Sequence, residues 1–581
     1  MEYLILIIIY LNAFLLSKKV SSKIFNHHNN IIIQSIVISN FVLLLFLFSV
    51  YLFLINVNLI YLLYSLIILT LISTYVLRKE IIEFLKDTLL DFVKENKLLF
   101  IFLLLFFLTV TLPSYDQDSL RYHLNIAKKI NNNTFYENTW LDYLGIGPHE
   151  FINAIFLKLN FLNTTSSINF LFLVLFVFVC KFISVKYKNK SNISNSLILL
   201  SAPFLISQIV SQKLFFFPSF IIALSIFYLF NERKNNLSFG TIVLILLSII
   251  FCLALKPTFA PLFLISYILS FMCLERKKKI YFLLISILSF FIIYGPIIYF
   301  RYKIYDDPFL PFISINGSNQ LWFSEYVSFI KNHTLDSSQG LENGLLKFIA
   351  IIYKLFLPLD LKDFFKIFGI GFLYLLTLNL KKNKDLAFLL IFLILSVLVL
   401  NNFQNRWFLP VLIFICFYAD LNKYKFFKKI LYFQSFVIMM ILIPMALTSV
   451  LISAKILNKN LILNEFNNSY SIIQKINSEY PNHKIYSSHN SFYFFNNVVP
   501  IYHPKYVMEF DKNYFISNKN DTKLLLWEGN PMSGEFGGLD NFLKKTGLCG
   551  NVKKIETYYY RSNRWVVLKD IKEINLFKFD C

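Results

Sequence analysis

The most informative part of this chain is an uncharged apolar stretch that runs directly into a polar, acidic motif. Residues 98–112 read LLFIFLLLFFLTVTL, and residues 113–124 continue as PSYDQDSLRYHL. The first run suits the interior of a lipid bilayer, where a charged carboxylate costs about 3 kcal/mol. The motif therefore places Asp116 and Asp118 at a membrane surface, and acids gathered at the mouth of a spanning helix indicate a working site.

The composition of the whole chain is that of a polytopic membrane protein. Hydrophobic residues make up 57% of the 581 residues, charged residues make up 15%, and the mean hydropathy is +0.59. The formal net charge of +22 lies mainly in short basic clusters between apolar runs. The positive-inside rule explains such clusters, so a nucleic-acid partner is not expected.

The apolar runs predict a mainly α-helical fold with about fourteen transmembrane helices and a large first outer loop. The predicted spans are 2–17, 31–56, 58–77, 98–112, 166–185, 192–209, 213–230, 239–255, 257–274, 280–300, 364–380, 386–400, 406–419 and 430–454. Counting these spans puts every basic cluster on the same side of the membrane. That agreement supports the count, because one missed helix would send all later clusters to the wrong face.

The same count gives an orientation. Glu2 precedes the first span and Lys18-Lys19 follows it, which is the reverse of a secretory signal, so a retained helix with its N-terminus outside is expected. Residues 78–97 then form a charged cytoplasmic segment suited to an interfacial helix. The composition suggests a prokaryote, and we expect the plasma (inner) membrane.

The polar tail predicts a separate domain. From about residue 465 the chain becomes polar, with short β-prone runs and turn signals at 529–531 and 537–538. Residues 455–581 are therefore expected to form a small extracytoplasmic α/β domain. Cys549 and Cys581 fall in it on the oxidising side, and a disulfide between them is left open.

The acidic motif opens a short amphipathic helix. Leu120, Leu124 and Ala127 recur at helical spacing after Asp118. Asp118 either caps this helix or acts as a general base, and capping leaves Asp116 unexplained. Two acids separated by one residue can also divide base and metal roles, so a divalent cation remains an open alternative.

Residues 118–124, DSLRYHL, resemble the Asp-x-Leu-x-Tyr-His-Leu signature of GT-C class membrane glycosyltransferases, the superfamily of protein mannosyltransferases and of the aminoarabinose transferase that modifies lipid A. Three further stretches resemble this class in the expected order, namely 256–258 (KPT), 307–312 (DPFLPF) and 405–410 (NRWFLP). The resemblance implies that residues 98–454 form the GT-C-like catalytic module, with 1–97 as additional N-terminal helices and the interfacial segment.

What the resemblance implies for chemistry is an inverting transfer of a sugar from a polyprenyl-phosphate donor to a hydroxyl of a glycan or lipid acceptor. Asp118, helped by Asp116, would be the catalytic base. Arg406, with Lys256 or Arg301, would bind the donor phosphate, although both Arg406 and Lys256 also suit snorkelling to the interface. Further substrate-binding candidates are Tyr122, His123 and Asp307.

The chain departs from this class at one turn and in two motifs, where Asp307 replaces an asparagine and Trp407 replaces a tyrosine, and it leaves two other functions open. Gln208, Gln212 and Lys213 stand where many members carry an acidic residue. A surface polysaccharide polymerase or ligase would use arginines and a histidine in a late loop, and loop 301–363 contains Arg301 and His333. A lipid-linked-sugar flippase or transporter would show mid-bilayer charges, repeated halves or broken helices. The chain has no Walker loop and no dinucleotide-binding glycine pattern.

Overall fold

The computed structural model describes most of the helical part of the chain and the strands of the tail. The described residues are 2–25, 30–83, 90–113, 119–132, 146–157, 161–186, 193–233, 237–305, 355–356, 361–378, 384–399, 405–466, 469–483, 485–487, 492–496, 498–500, 523–528, 551–562 and 570–580.

The chain is mainly helical, as the sequence predicts. Five helices among the described residues are long and apolar enough to cross a membrane: Ile31–Leu54, Leu59–Val76, Thr164–Lys186, Arg276–Phe300 within the helix Arg276–Tyr305, and Lys425–Ser453. Shorter apolar helices are Lys97–Thr109, Phe216–Glu232, Phe239–Leu255, Ala260–Met272, Lys384–Val399 and Leu409–Tyr418. The other α-helices are Glu2–Phe25, Arg78–Glu83, Leu90–Glu95, Leu124–Asn131, Pro148–Leu157, Ser196–Leu200, Pro203–Val210, Lys459–Phe466 and Tyr470–Glu479. The prediction of a mainly α membrane protein is confirmed at this level.

The chain forms two compact units. The first comprises residues 1–112, 147–297 and 338–454, and the second comprises 113–146, 298–337 and 455–581. The helix Phe216–Glu232 is buried along nearly its whole length in the first unit, with Phe217 stacked on Phe172 at 4.2 Å between ring centroids. By contrast, the helix Leu59–Val76 exposes most of its apolar side chains, as expected of a helix in contact with lipid.

Ion pairs connect separate helices of the first unit. Lys19 pairs with Glu80 at 2.7 Å, and Lys186 pairs with Glu232 at 2.6 Å. Two further pairs are Lys181–Glu95 and Arg233–Asp385. These pairs therefore connect helices that are distant from one another in the sequence.

Two predicted spans are interrupted rather than continuous. Span 192–209 consists of a 3₁₀ turn, Ile193–Asn195, and the helices Ser196–Leu200 and Pro203–Val210. Pro203 opens the second of these helices, where its missing N–H breaks no hydrogen bond. The described part of span 364–380, which ends at residue 378, contains two 3₁₀ segments, Leu361–Lys366 and Gly369–Thr377.

Gln434 bridges the two interruptions. Its side-chain oxygen accepts a hydrogen bond from the Ile370 N–H at 2.9 Å, and its amide nitrogen donates to the Ser201 carbonyl at 2.9 Å. An irregular backbone inside a membrane protein must find such partners, because lipid offers none. Gln434 thus stabilises both breaks at once.

Gly369 is required at this bridge. Its φ of +64° is a left-handed conformation, and an added Cβ would overlap the side-chain amide of Gln434. We expect Gly369→Ala to lower the thermal unfolding midpoint and to cost roughly 1–3 kcal/mol. Gly295→Ala is the matched control: that position is helical with no atom within 4 Å of the added Cβ, so its midpoint should stay level or rise. Equal midpoints for the two variants would contradict the bridge.

The tail contains a five-stranded sheet. Its strands are β1 (Ile485–Ser487), β2 (Val498–Pro500), β3 (Lys523–Glu528), β4 (Asn551–Ser562) and β5 (Asp570–Asp580), in the order β2-β1-β3-β5-β4. β1 runs parallel to β2 and β3, whereas β5 runs antiparallel to β3 and β4. Helix Tyr470–Glu479 precedes β1, so the described part of the tail contains both helix and sheet.

Candidate anion site

Two of the predicted phosphate-binding residues meet at one aromatic ring. The Lys256 ammonium lies 5.8 Å from the centroid of the Phe215 ring, and the Arg406 guanidinium carbon lies 6.0 Å from the same centroid. These residues are far apart in sequence, and each lies at the start of a new helix. Lys256 follows the helix Phe239–Leu255, and Arg406 lies in the 3₁₀ turn Asn405–Phe408. The fold therefore brings together two positively charged side chains that are far apart in the sequence.

Three aromatic rings form a rigid support beneath these cations. Phe215, Phe259 and Trp407 are buried, with centroid separations of 5.3 Å for Phe215–Trp407, 5.7 Å for Phe215–Phe259 and 5.8 Å for Phe259–Trp407. The Arg406 guanidinium also lies 5.2 Å from the Trp407 centroid. A cation held over an aromatic face gains about 0.5–2 kcal/mol and stays in a fixed place.

Three hydrogen-bond donors at this site have no partner among the described residues. They are Nε of Arg406, Nε1 of Trp407 and the hydroxyl of Thr258, all of which are shielded from solvent. A buried donor without an acceptor costs about 1–3 kcal/mol, so such atoms need an explanation. A ligand that presents acceptor oxygens to a positively charged site would satisfy them.

The turn before Phe215 carries a further lysine, Lys213, and hydrogen bonds fix its backbone. Asn169 fixes this turn, because its side-chain amide donates to the Lys213 carbonyl at 2.8 Å and its side-chain oxygen accepts from the Phe217 N–H at 3.2 Å. Gln212 also donates to Asn163 at 3.0 Å. Gln208, Gln212 and Lys213 thus belong to a buried polar network around Asn169 and Asn163.

His149 and Glu150 add a buried pair beside these cations. Nε2 of His149 donates to Glu150 at 2.6 Å, and the Gly147 N–H donates to the other carboxylate oxygen at 2.7 Å. Burial lowers the pKa of His149 below its usual value, while Glu150 opposes that shift and the charges of Lys256 and Lys213 reinforce it. The pair is therefore an imidazole oriented by a carboxylate, and its pKa responds to the charges of two lysines.

Glu150 stabilises the local structure around His149 and Gly147, because its two carboxylate oxygens accept hydrogen bonds from an N–H group of each. Glutamine has the same shape but only one acceptor oxygen, so Glu150→Gln sets an NH₂ group against one of these donors. We expect it to lower the unfolding free energy by about 1–3 kcal/mol, read as a lower thermal midpoint. The control Glu95→Gln breaks only the exposed pair with Lys181 and should change the unfolding free energy by less than about 1 kcal/mol. A midpoint for Glu150→Gln equal to that of the control would contradict this role.

The structure describes the other predicted site residues only in part. His123 is buried in the π-helical turn Ser119–His123 of the second unit. The backbones of Tyr122 and Arg301 are described in the same unit, but their side chains are not. The remaining positions lie outside the described residues: Asp116, Asp118, Asp307, His333, Cys549 and Cys581. The roles of all of these residues stay predictions.

Sequence reasoning missed His149, Glu150, Thr258 and the support given by Phe215. A signal for the first pair exists, because 147–150 reads GPHE and proline opens a helix whose first turn then carries the acid. Phe215 gave no signal, since one phenylalanine among 67 is not distinctive. Comparisons of the chain with protein-family models, with curated proteins and with solved structures gave no match.

Proposed function

We propose that this protein is a membrane glycosyltransferase that moves a sugar from a polyprenyl-phosphate donor to an acceptor hydroxyl. The observation that carries the proposal is the anion site, in which Lys256 and Arg406 share the Phe215 ring beside three buried donors without partners among the described residues. A phosphate diester presents acceptor oxygens and a negative charge, and a guanidinium fork suits it well.

The surface next to the anion site supports a donor with an apolar chain. Helix Ala260–Met272 begins one turn after Lys256 and exposes Leu264, Ile268 and Met272, which share one face at four-residue spacing. Helix Lys384–Val399 packs against it and exposes a second apolar stripe, formed by Phe388, Ile391, Phe392 and Leu395. A polyprenyl tail can lie along these faces in lipid while its phosphate reaches the cations.

The proposed mechanism assigns proton removal to the acidic motif and stabilisation of the leaving phosphate to the two cations. Asp118, with Asp116 beside it, removes a proton from the acceptor hydroxyl as its oxygen attacks the anomeric carbon. The bond from that carbon to the phosphate oxygen breaks, and configuration inverts. Arg406 and Lys256 stabilise the negative charge that grows on the departing polyprenyl phosphate.

The proposal includes a topology of fourteen spans, with the N-terminus and the tail domain outside the cell. On that topology Lys256 and Arg406 both lie at the outer surface, away from ATP and nucleotide-sugars. The plasma (inner) membrane location and the cell-surface acceptor belong to the same proposal, supported by the positions of the basic clusters.

The test is sugar transfer by the purified protein from a mixed pool of polyprenyl-phosphate sugars to total cell-surface lipids and glycans. We expect at least one donor to give a labelled product, with release of polyprenyl phosphate in equal amount. Folded protein that transfers no sugar from any donor in the pool would contradict the proposal.

A lipid-linked-sugar transporter is the second candidate, because interrupted spans are typical of transporter cores. Spans 192–209 and 364–380 are interrupted in this chain, and the polar side chains at the breaks, Ser201 and Gln434, are neutral. Liposomes distinguish the two functions: a transporter moves an intact lipid-linked sugar across the bilayer, whereas the transferase cleaves its sugar–phosphate bond.

A further inference from the structure

The helix that follows the acidic motif is held by the tail. In the second unit, the segment Ser119–Asn131 packs against the 3₁₀ turn Phe492–Phe494. The helical residues Leu120, Leu124 and Ala127 are buried, as their spacing in the sequence predicts for one apolar face. This face is therefore covered, at least in part, by the protein's own tail.

Lys128 fixes this contact by hydrogen bonds. Its ammonium donates to the carbonyl of Phe495 at 2.7 Å and to the carbonyl of Tyr493 at 3.3 Å, and it lies 5.7 Å from the centroid of the Tyr493 ring. Burial lowers the pKa of Lys128 below its usual range. A partly buried ammonium costs free energy unless its N–H groups find acceptors, so these two carbonyls fix its position.

The receiving turn is itself held in place by the tail. The Asn477 amide donates to the Phe494 carbonyl at 2.8 Å, and its side-chain oxygen accepts from the Asn496 N–H at 3.0 Å. The Phe494 ring packs edge-on against Tyr470 at 4.9 Å between centroids. The helix Tyr470–Glu479 thus fixes the backbone carbonyls to which Lys128 donates.

We propose that Lys128 is a positioning residue for the reaction, through which the tail turn 492–496 sets the place of the acidic motif. Ser119 is the first residue of the helical segment that Lys128 holds, and it follows Asp118 directly. A shift of this segment therefore moves the carboxylate of the proposed base. The inference rests on the proposed function, and it gives the tail domain a part in catalysis. A base displaced by about 1 Å loses rate roughly 100-fold, while donor binding elsewhere is unaffected.

The experiment compares full-length Lys128→Met, Lys128→Arg and wild type by steady-state kinetics and by amide hydrogen exchange. Lys475→Met is the matched control, because Lys475 also lies over a tyrosine ring in the tail, at 5.1 Å from the Tyr558 centroid, but pairs with Glu556. We expect Lys128→Met to lower kcat by roughly 10- to 100-fold with the donor KM nearly unchanged. In Lys128→Met the rate of amide hydrogen exchange in residues 119–131 should rise. Both Lys128→Arg and the control Lys475→Met should match wild type in kcat and in exchange.

Three results would overturn the proposal: wild-type exchange in 119–131 for Lys128→Met, wild-type kcat for that variant, or a raised KM with kcat retained. If Lys128→Met does not fold, Asn477→Ala replaces it, since it loosens the turn without touching 119–131 and should act in the same direction. Unchanged kcat and exchange in Asn477→Ala would then count against the proposal. A wild type that transfers no sugar would instead overturn the proposed function, and exchange alone would still decide whether Lys128 holds the helix.

Discussion

Arg406→Gln is expected to lower kcat/KM for a polyprenyl-phosphate sugar by about 10- to 100-fold. The guanidinium supplies charged hydrogen bonds to the donor phosphate, each worth about 1.5–3 kcal/mol, and glutamine supplies only one neutral donor group. The charge on the leaving phosphate grows in the transition state, so kcat should fall as well as KM rise. Steady-state kinetics with varied donor concentration separates the two effects.

Arg78→Gln is the matched control for this prediction. The Arg78 guanidinium also lies over an aromatic ring, 4.9 Å from the Tyr75 centroid, but its neighbours in the helix Arg78–Glu83 supply no site of this kind. Its kinetics should match wild type. The kcat/KM of Arg406→Lys should lie between those of wild type and Arg406→Gln, since a lysine retains the charge but cannot form two parallel hydrogen bonds. Arg406→Gln with wild-type kinetics would reduce Arg406 to a snorkelling side chain.

Asp118→Asn is expected to lower kcat at least about 100-fold, because asparagine cannot accept the proton of the acceptor hydroxyl. Donor KM should change little, since the phosphate is bound by other residues. Asp116→Asn should reduce kcat by a smaller factor if Asp116 supports the base, and by a similar factor if the two acids share a divalent cation. Titration with EDTA separates these cases, because only a metal-dependent wild type loses activity.

A helix cap predicts a different outcome for the same variants. Asparagine caps helices about as well as aspartate, so Asp118→Asn would then leave both stability and rate unchanged. Asp118→Ala would lower the thermal midpoint by removing the cap, whereas the catalytic role predicts low activity in both variants. Comparing the two substitutions therefore distinguishes capping from base catalysis.

Most of the helical architecture was predictable because hydrophobic run length is a strong signal. The predicted spans 31–56, 58–77 and 239–255 coincide closely with Ile31–Leu54, Leu59–Val76 and Phe239–Leu255. The bridge between the interruptions at Ser201 and Gly369 was not predictable, because it depends on the side chain of Gln434, more than sixty residues away from both. Hydropathy measures composition along the chain and carries no record of such tertiary hydrogen bonds.

The site was predictable only in part for the same reason. Lys256 and Arg406 stood out as basic residues at helix ends, and the fold brings them to one ring. The ring itself and the buried His149–Glu150 pair could not be predicted as neighbours, because their proximity depends on how several helices pack. A basic residue at the end of an apolar run is conspicuous in the sequence, whereas a phenylalanine that packs beneath it is not.

The most direct measurement is transfer of labelled sugar from polyprenyl-phosphate donors by purified wild type and by Asp118→Asn, with folding of both verified. We expect product from wild type and a loss of at least about 100-fold in the variant. Equal rates in the two proteins would remove Asp118 from the mechanism, and no transfer by folded wild type would contradict the glycosyltransferase itself.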